Sequence, residues 1–199
     1  MDQSQGRRSI DELAEAAGWT GSINQGRDWD TVERALGLTL PEDYKAMMSR
    51  FPSGFFRNAV WITNPIDARV DLGTFLREDV HEVVESFSGE NGDFMEDTNY
   101  ALFPAPGGLL PWGNDLQGGK FFWLTKGIDP NEWPVVYWSR DLFEWTEHDS
   151  GVVDAIMKIL TCAGDDNIIR MDLGEEESIF RVPSTYMGNG GWLPHEEYR

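Results

Sequence analysis

The chain has 199 residues, 40% hydrophobic and 13% aromatic, which suits one globular domain and excludes a disordered chain. Sixteen basic side chains against 35 acidic ones leave a net charge of −19. Such a surface repels nucleic-acid phosphates and anionic membranes, and it either attracts a basic protein partner or serves solubility alone.

Residues 1–8 are polar, with no secretory signal, and no apolar run of about 18 residues occurs anywhere, so the chain is expected in the cytoplasm without a membrane span. Ser9-Ile10-Asp11-Glu12 has capping-box spacing and Gly18 supplies a stop, which predicts a short helix over about 10–17. Thr20–Gly26 reads as a loop. In Asp28–Gly37, Trp29, Val32 and Leu36 recur at i, i+3 and i+7 and predict a helix ended by Gly37. Pro41 suits the first position of a third helix, whose positive end Glu42 and Asp43 favour. Tyr44, Met47 and Met48 form its buried side, and Phe51-Pro52-Ser53-Gly54 ends it. Phe55–Thr63 reads as one extended segment, Leu72–Phe87 as a helix, Ser88–Asn99 as a polar loop and Tyr100–Phe103 as a short strand.

The centre of the chain is a hairpin: an arm over Leu109–Gly113, a turn at Asn114–Gly119 and a strand over Lys120–Thr125. Gly127–Trp133 is a loop and Pro134–Trp138 a strand. Phe143–Glu147 alternates like a half-buried antiparallel strand. Ser150 is placed as the cap of a helix over Val152–Cys162, with Val153, Ile156, Met157 and Leu160 inward. Cys162, the only cysteine, is a small core residue and forms no internal disulfide. From Gly164 onward the chain is acidic and glycine-punctuated, a loosely packed extension with one strand over Ser178–Val182. The order predicts an α+β fold, a largely antiparallel twisted sheet packed by helices in a single domain over 28–163. An N-terminal extension with a short helix covers 1–27, and an acidic C-terminal extension covers 164–199.

Few motifs carry chemistry. His81-Glu82-Val83-Val84-Glu85 lacks the second histidine of a zinc-protease helix. Gly118-Gly119-Lys120 places Phe121 where a phosphate loop needs Ser or Thr. Asp165-Asp166 and Glu175-Glu176-Glu177 lack the alternation of a calcium loop, and one cysteine with three scattered histidines makes no Cys/His metal site. No catalytic, cofactor-binding or metal-binding residue is assigned. Trp112, Trp123, Trp133, Trp138 and Trp145 fall on the expected sheet, either as core or as an aromatic patch rimmed by acids.

Trp29, Glu33, Leu36-Gly37, Leu40-Pro41 and Asp43-Tyr44 keep the spacing W-x-x-x-E-x-x-L-G-x-x-L-P-x-D-Y. Leu110-Pro111-Trp112-Gly113-Asn114, then Gly119-Lys120-Phe121-Phe122, and a closing helix near Val152–Leu160 follow in order. Together these residues resemble the SUKH superfamily, which includes the yeast cell-wall-assembly regulator and many bacterial immunity proteins. The resemblance implies an α+β fold without enzymatic activity. It implies a module that neutralises a cognate toxin, such as a nuclease or nucleic-acid deaminase, or a scaffold like the yeast relative. With the charge, the expectation is a non-enzymatic immunity protein whose acidic face occludes a basic toxin, with Asn114, Asp115, Asp141 and Glu144 as contact residues. The alternatives are a scaffold or regulatory module without a toxin partner, and a hydrolase using dispersed carboxylates.

Overall fold

Local caps start the helices. The computed structural model describes residues 9–88, 93–95, 98–174, 179–183 and 192–193. Ser9 and Glu12 close a reciprocal capping box on α1 (Ile10–Ala16). Asp28 caps α2 (Trp29–Leu36), and Gly37 ends it in the left-handed region at φ 76°. Pro41 is the N-cap of α3 (Glu42–Met48) rather than its first residue, and Tyr44, Met47 and Met48 are buried as expected. Asp71 caps α4 (Leu72–Phe75), which runs through a π-helical stretch (Leu76–His81) into α5 (Glu82–Ser88). α6 (Val152–Thr161) buries Val153, Ile156, Met157 and Leu160, but its N-cap is Gly151 and not Ser150. The Asp43 carboxylate of α3 lies where a β-carbon on Gly151 would sit, so a neighbouring helix supplies the negative charge at this end.

The segment read as one extended piece is a hairpin of β1 (Gly54–Phe56) and β2 (Val60–Ile62). Its turn holds Arg57 and Asn58 at φ 50° and 49°, a left-handed pair that Asn-Gly would have announced and Arg-Asn does not. The central hairpin, β3 (Leu109–Asp115) and β4 (Lys120–Leu124), is in place, with β3 running two residues further than expected. β5 (Val135–Ser139) and β6 (Glu144–His148) continue the antiparallel ladder. β7 (Phe180–Pro183) pairs with β1, and β8 (Trp192–Leu193) with β7. Across the sheet the order is β6-β5-β4-β3-β2-β1-β7-β8. Tyr100–Phe103 makes only an isolated bridge, Leu102 to Leu109.

The central strands are apolar at consecutive positions because both faces of the sheet are covered. Phe121, Trp123, Val135 and Tyr137 pack with α1, α2, α3 and α6 in one cluster. Phe122, Leu124, Val136 and Trp138 pack with Phe87 of α5 in another. The segment after Gly164 is packed where it is described: Ile168, Ile169, Phe180 and Val182 are buried. Phe180 lies 5.0, 5.1 and 4.8 Å from the rings of Trp19, Phe51 and Phe56. The acids between Glu175 and Ser178 lie outside the described residues.

Arg57 ties this segment to the sheet. Its side chain is in the buried interior, and its guanidinium donates to Ile159 O at 3.0 Å, Cys162 O at 2.9 Å and Gly174 O at 2.9 Å. The C-terminal carbonyls of α6 have no helical donors of their own, so a cation from the β1–β2 turn satisfies them. Alanine tolerates φ 50° no better than arginine, so Arg57→Ala isolates the side chain. It is expected to cost about 2–4 kcal/mol in urea denaturation. A loss below about 0.5 kcal/mol would show that water replaces the guanidinium.

Candidate partner-binding site

Three turns meet at one end of the sheet: Arg57–Ala59, Leu116–Gly119 and Arg140–Phe143. The pairings Val60–Asp115 and Lys120–Trp138 set them side by side. Leu116 N–H donates to Ala59 O at 3.2 Å, and the Arg140 side chain lies 2.9 Å from where a β-carbon on Gly118 would stand.

Asp115 fixes the middle turn. Its Oδ1 accepts from Gln117 N and Gly119 N, each at 2.8 Å, and its Oδ2 accepts from the Tyr137 hydroxyl of β5 at 2.5 Å. Burial, then the hydrogen bond to Asp115, raises the Tyr137 pKa, so the phenol stays protonated and donating. A β-carbon at Gly119 would collide with the Asp115 carboxylate, the Tyr137 hydroxyl and Trp138 O, so only glycine closes this turn.

Beside the exposed Gln117, Arg140 and Asp141, the turns present large apolar side chains outward. Leu116, Leu142 and Phe143 are 53%, 55% and 67% exposed. The other large exposed hydrophobic side chain among the described residues, Ile128, lies in the β4–β5 loop. The non-glycine residues with positive φ among the described residues, Arg57, Asn58, Phe143 and Arg170, all belong to this end. Phe143 is the costly one: a bulky ring on left-handed backbone at φ 53°, where glycine or asparagine would relieve about 1 kcal/mol. Its ring stacks on Phe94 at 6.0 Å with most of its surface in water. Strain of this kind gathers at binding and catalytic sites.

The four residues expected to contact a partner come together here. Asn114 is half-buried, paired with Trp61 and Lys120, and its Nδ2 donates to Asp115 O at 3.0 Å. Asp115 is 2% exposed and faces inward. Asp141 is exposed in the β5–β6 turn, and exposed Glu144 opens β6, 3.2 Å from Arg170. Asp115 and Asp141 line a cleft of about 150 Å³ with Tyr137, Leu142, Ile169 and Met171. Leu116, Leu142 and Phe143 escaped sequence reasoning because the alternation of Phe143 with Trp145 drew Phe143 into the strand. Trp112, Trp123, Trp133 and Trp138 are buried and Trp145 half-buried, so core packing accounts for most of the aromatic cluster.

A separate polar cluster sits beside the π-helical stretch. Asp79 accepts from Thr63 Oγ1 at 2.6 Å, and Trp61 Nε1 donates to the same hydroxyl at 3.0 Å. Burial raises the Asp79 pKa and lowers that of nearby Lys120. Asp79 is hydrogen-bonded to Thr63 and feels the charges of Glu78, which is exposed, and of Lys120. Among the described residues no three His, Cys, Asp or Glu side chains are grouped as a metal ion needs. No helix among them is long and apolar enough to cross a membrane.

The protein-family model SUKH_6, described as SMI1-KNR4 cell-wall, matches residues 27–158. The chain belongs to the SUKH superfamily. No curated protein and no solved structure was found to match it. The match starts just before Asp28 and ends inside α6, so it spans α2 through the central hairpin and the three turns. SUKH domains are in general interaction modules, and the three turns lie within the SUKH part of the chain.

The ionised Asp79 is disfavoured in the folded state, because its pKa there stands above the ordinary 3.8. That cost is present at neutral pH and fades as pH falls through the raised value and below 3.8. Asp79→Asn is therefore expected to raise stability in urea at about pH 7, with a gain that shrinks below about pH 4. A gain of equal size at both pH values would place the effect in packing instead.

Proposed function

We propose that this SUKH protein is a non-enzymatic immunity protein that neutralises a cognate toxin by covering its basic active-site face. The toxin class is a nuclease or nucleic-acid deaminase, whose substrate cleft is cationic because it handles phosphates. The observation that carries the proposal is the charge of −19 on an interaction-module fold. Exposed carboxylates stand on α1 (Asp11, Glu12, Glu15), on the π-helical stretch and α5 (Glu78, Glu82, Glu85) and on the β5–β6 hairpin (Asp141, Glu144, Glu147). A field of that sign speeds encounter with a cationic surface and repels the nucleic acid that competes for it. Asn114 of β3 and Asp141 and Glu144 of the β5–β6 hairpin contact the toxin, and Asp115, buried, holds the neighbouring Leu116–Gly119 turn. Action in the cytoplasm follows from where such toxins meet nucleic acid. The cell-wall wording of the matched family favours a second reading, a scaffold with no toxin partner.

Co-expression with the products of adjacent genes separates the two. An immunity protein restores growth against one toxic product, whereas a scaffold restores none and instead co-purifies with proteins of unstressed cells. The affinity of the toxin complex is expected to fall at least about tenfold between roughly 50 and 500 mM NaCl, mainly through the association rate. An affinity that ignores salt would contradict occlusion driven by charge.

A further inference from the structure

We infer that the segments on either side of the SUKH match form one clasp, which closes the β1 edge of the sheet against strands from other chains. The clasp consists of α1 with Trp19 on one side and β7 with the described chain from Gly164 on the other. Both lie outside residues 27–158, yet they hold each other. Phe180 N–H donates to Ala17 O at 2.9 Å, and the Phe180 ring meets Trp19 edge-on at 5.0 Å. Each half also grips the core. Trp19 Nε1 donates to Arg50 O at 3.0 Å, just beyond α3. Arg57 N–H donates to Ile179 O at 2.9 Å, and its guanidinium to Gly174 O at 2.9 Å. Leu13, Trp19, Phe180 and Val182 are at most 2% exposed. Neither half can leave without uncovering apolar rings of the other, so the two open as one cooperative unit.

The edge explains why such a clasp is needed. β1 is Gly54-Phe55-Phe56, and an apolar edge strand recruits other chains through its unpaired backbone. β7 takes that edge through the pairs Phe55–Arg181 and Phe56–Phe180. The outermost strand on this side is then β8, two residues long, and so short an edge offers little to pair with. β1 is itself shaped for the incoming strand. A β-carbon at Gly54 would collide with the Phe180 ring and with Arg181 O, so glycine is what admits β7. Gly54 belongs to the matched part of the chain, so core and clasp are fitted to each other across the boundary of the match.

Native-state amide exchange on the full chain tests the unit. Gly54→Ala pushes β7 off the edge by collision, and Phe180→Ala removes the ring from the other side of the same contact. Each is expected to lower protection at least about tenfold in β7 and equally at Leu13–Ala17 of α1, while β4 and β5 keep theirs. Where an alanine variant does not fold, Phe180→Leu gives the same comparison with a smaller truncation. A loss confined to β7 overturns the clasp. So does an equal loss in β4 and β5, which would make both segments part of the global core. A synthetic peptide of residues 164–183 tests the edge, in about 0.5 M NaCl, where a screening length of roughly 4 Å quiets repulsion between acidic chains. The peptide is expected to shift the Gly54–Phe56 amides of Phe180→Ala. It is expected to leave the wild type unchanged, because its edge is occupied, and Gly54→Ala unchanged, because its edge has no room. Shifts as large in the wild type as in Phe180→Ala, or none in Phe180→Ala, overturn the guarded edge.

Discussion

One buried carboxylate organises the end of the sheet where three turns meet. Asp115 receives two turn amides and a phenol, all within 2.5–2.8 Å, and it is almost wholly out of water. A carboxylate in that position is tolerable only because every donor around it points inward. Gly119, Tyr137 and the path of the chain through Leu116–Gly119 then follow as consequences. The side chain of Leu116 is left to project because the polar atoms of its turn are turned toward Asp115.

The same end of the sheet joins rigidity to exposure. The strands beneath it are covered on both faces, and Arg57 anchors the neighbouring turn to α6 and to the segment beyond Gly164. The turns therefore stand on a fixed base. A partner that met these turns, as proposed, would cost little conformational entropy. Asp79 and Lys120, in the polar cluster next door, have their pKa values moved by burial, and Asp79 is hydrogen-bonded to Thr63.

Much of the fold was legible in the residues. Capping boxes, glycine stops and the apolar stripes of α2 and α6 are local, and local signals survive folding intact. The central hairpin and the strand after it were legible because consecutive apolar residues leave a doubly covered strand as the simplest answer. What escaped depended on partners distant in sequence. Asp43 lies against the N-terminus of α6 from more than a hundred residues away, which no reading of Ser150 reveals. Arg57-Asn58 takes a left-handed turn without a glycine, and Phe180 finds Trp19, Phe51 and Phe56 from within an acidic stretch. At the candidate site, Asp141 and Glu144 were legible as acids near a turn. Leu142 and Phe143 were not, because a phenylalanine at positive φ contradicts every local preference, and such contradictions collect where function outweighs stability.

On the proposed reading, long-range charge governs how fast the toxin arrives and short-range contact how long it stays. Hydrogen–deuterium exchange on the toxin complex tests that division most directly, because it reports which backbone is covered without altering a residue. Contact through Asn114, Asp141 and Glu144 requires slowed exchange over 114–119 and 140–144, with α1 and α5 unchanged. Protection centred on the acidic helices, with the two turns exchanging as in the free protein, would contradict it.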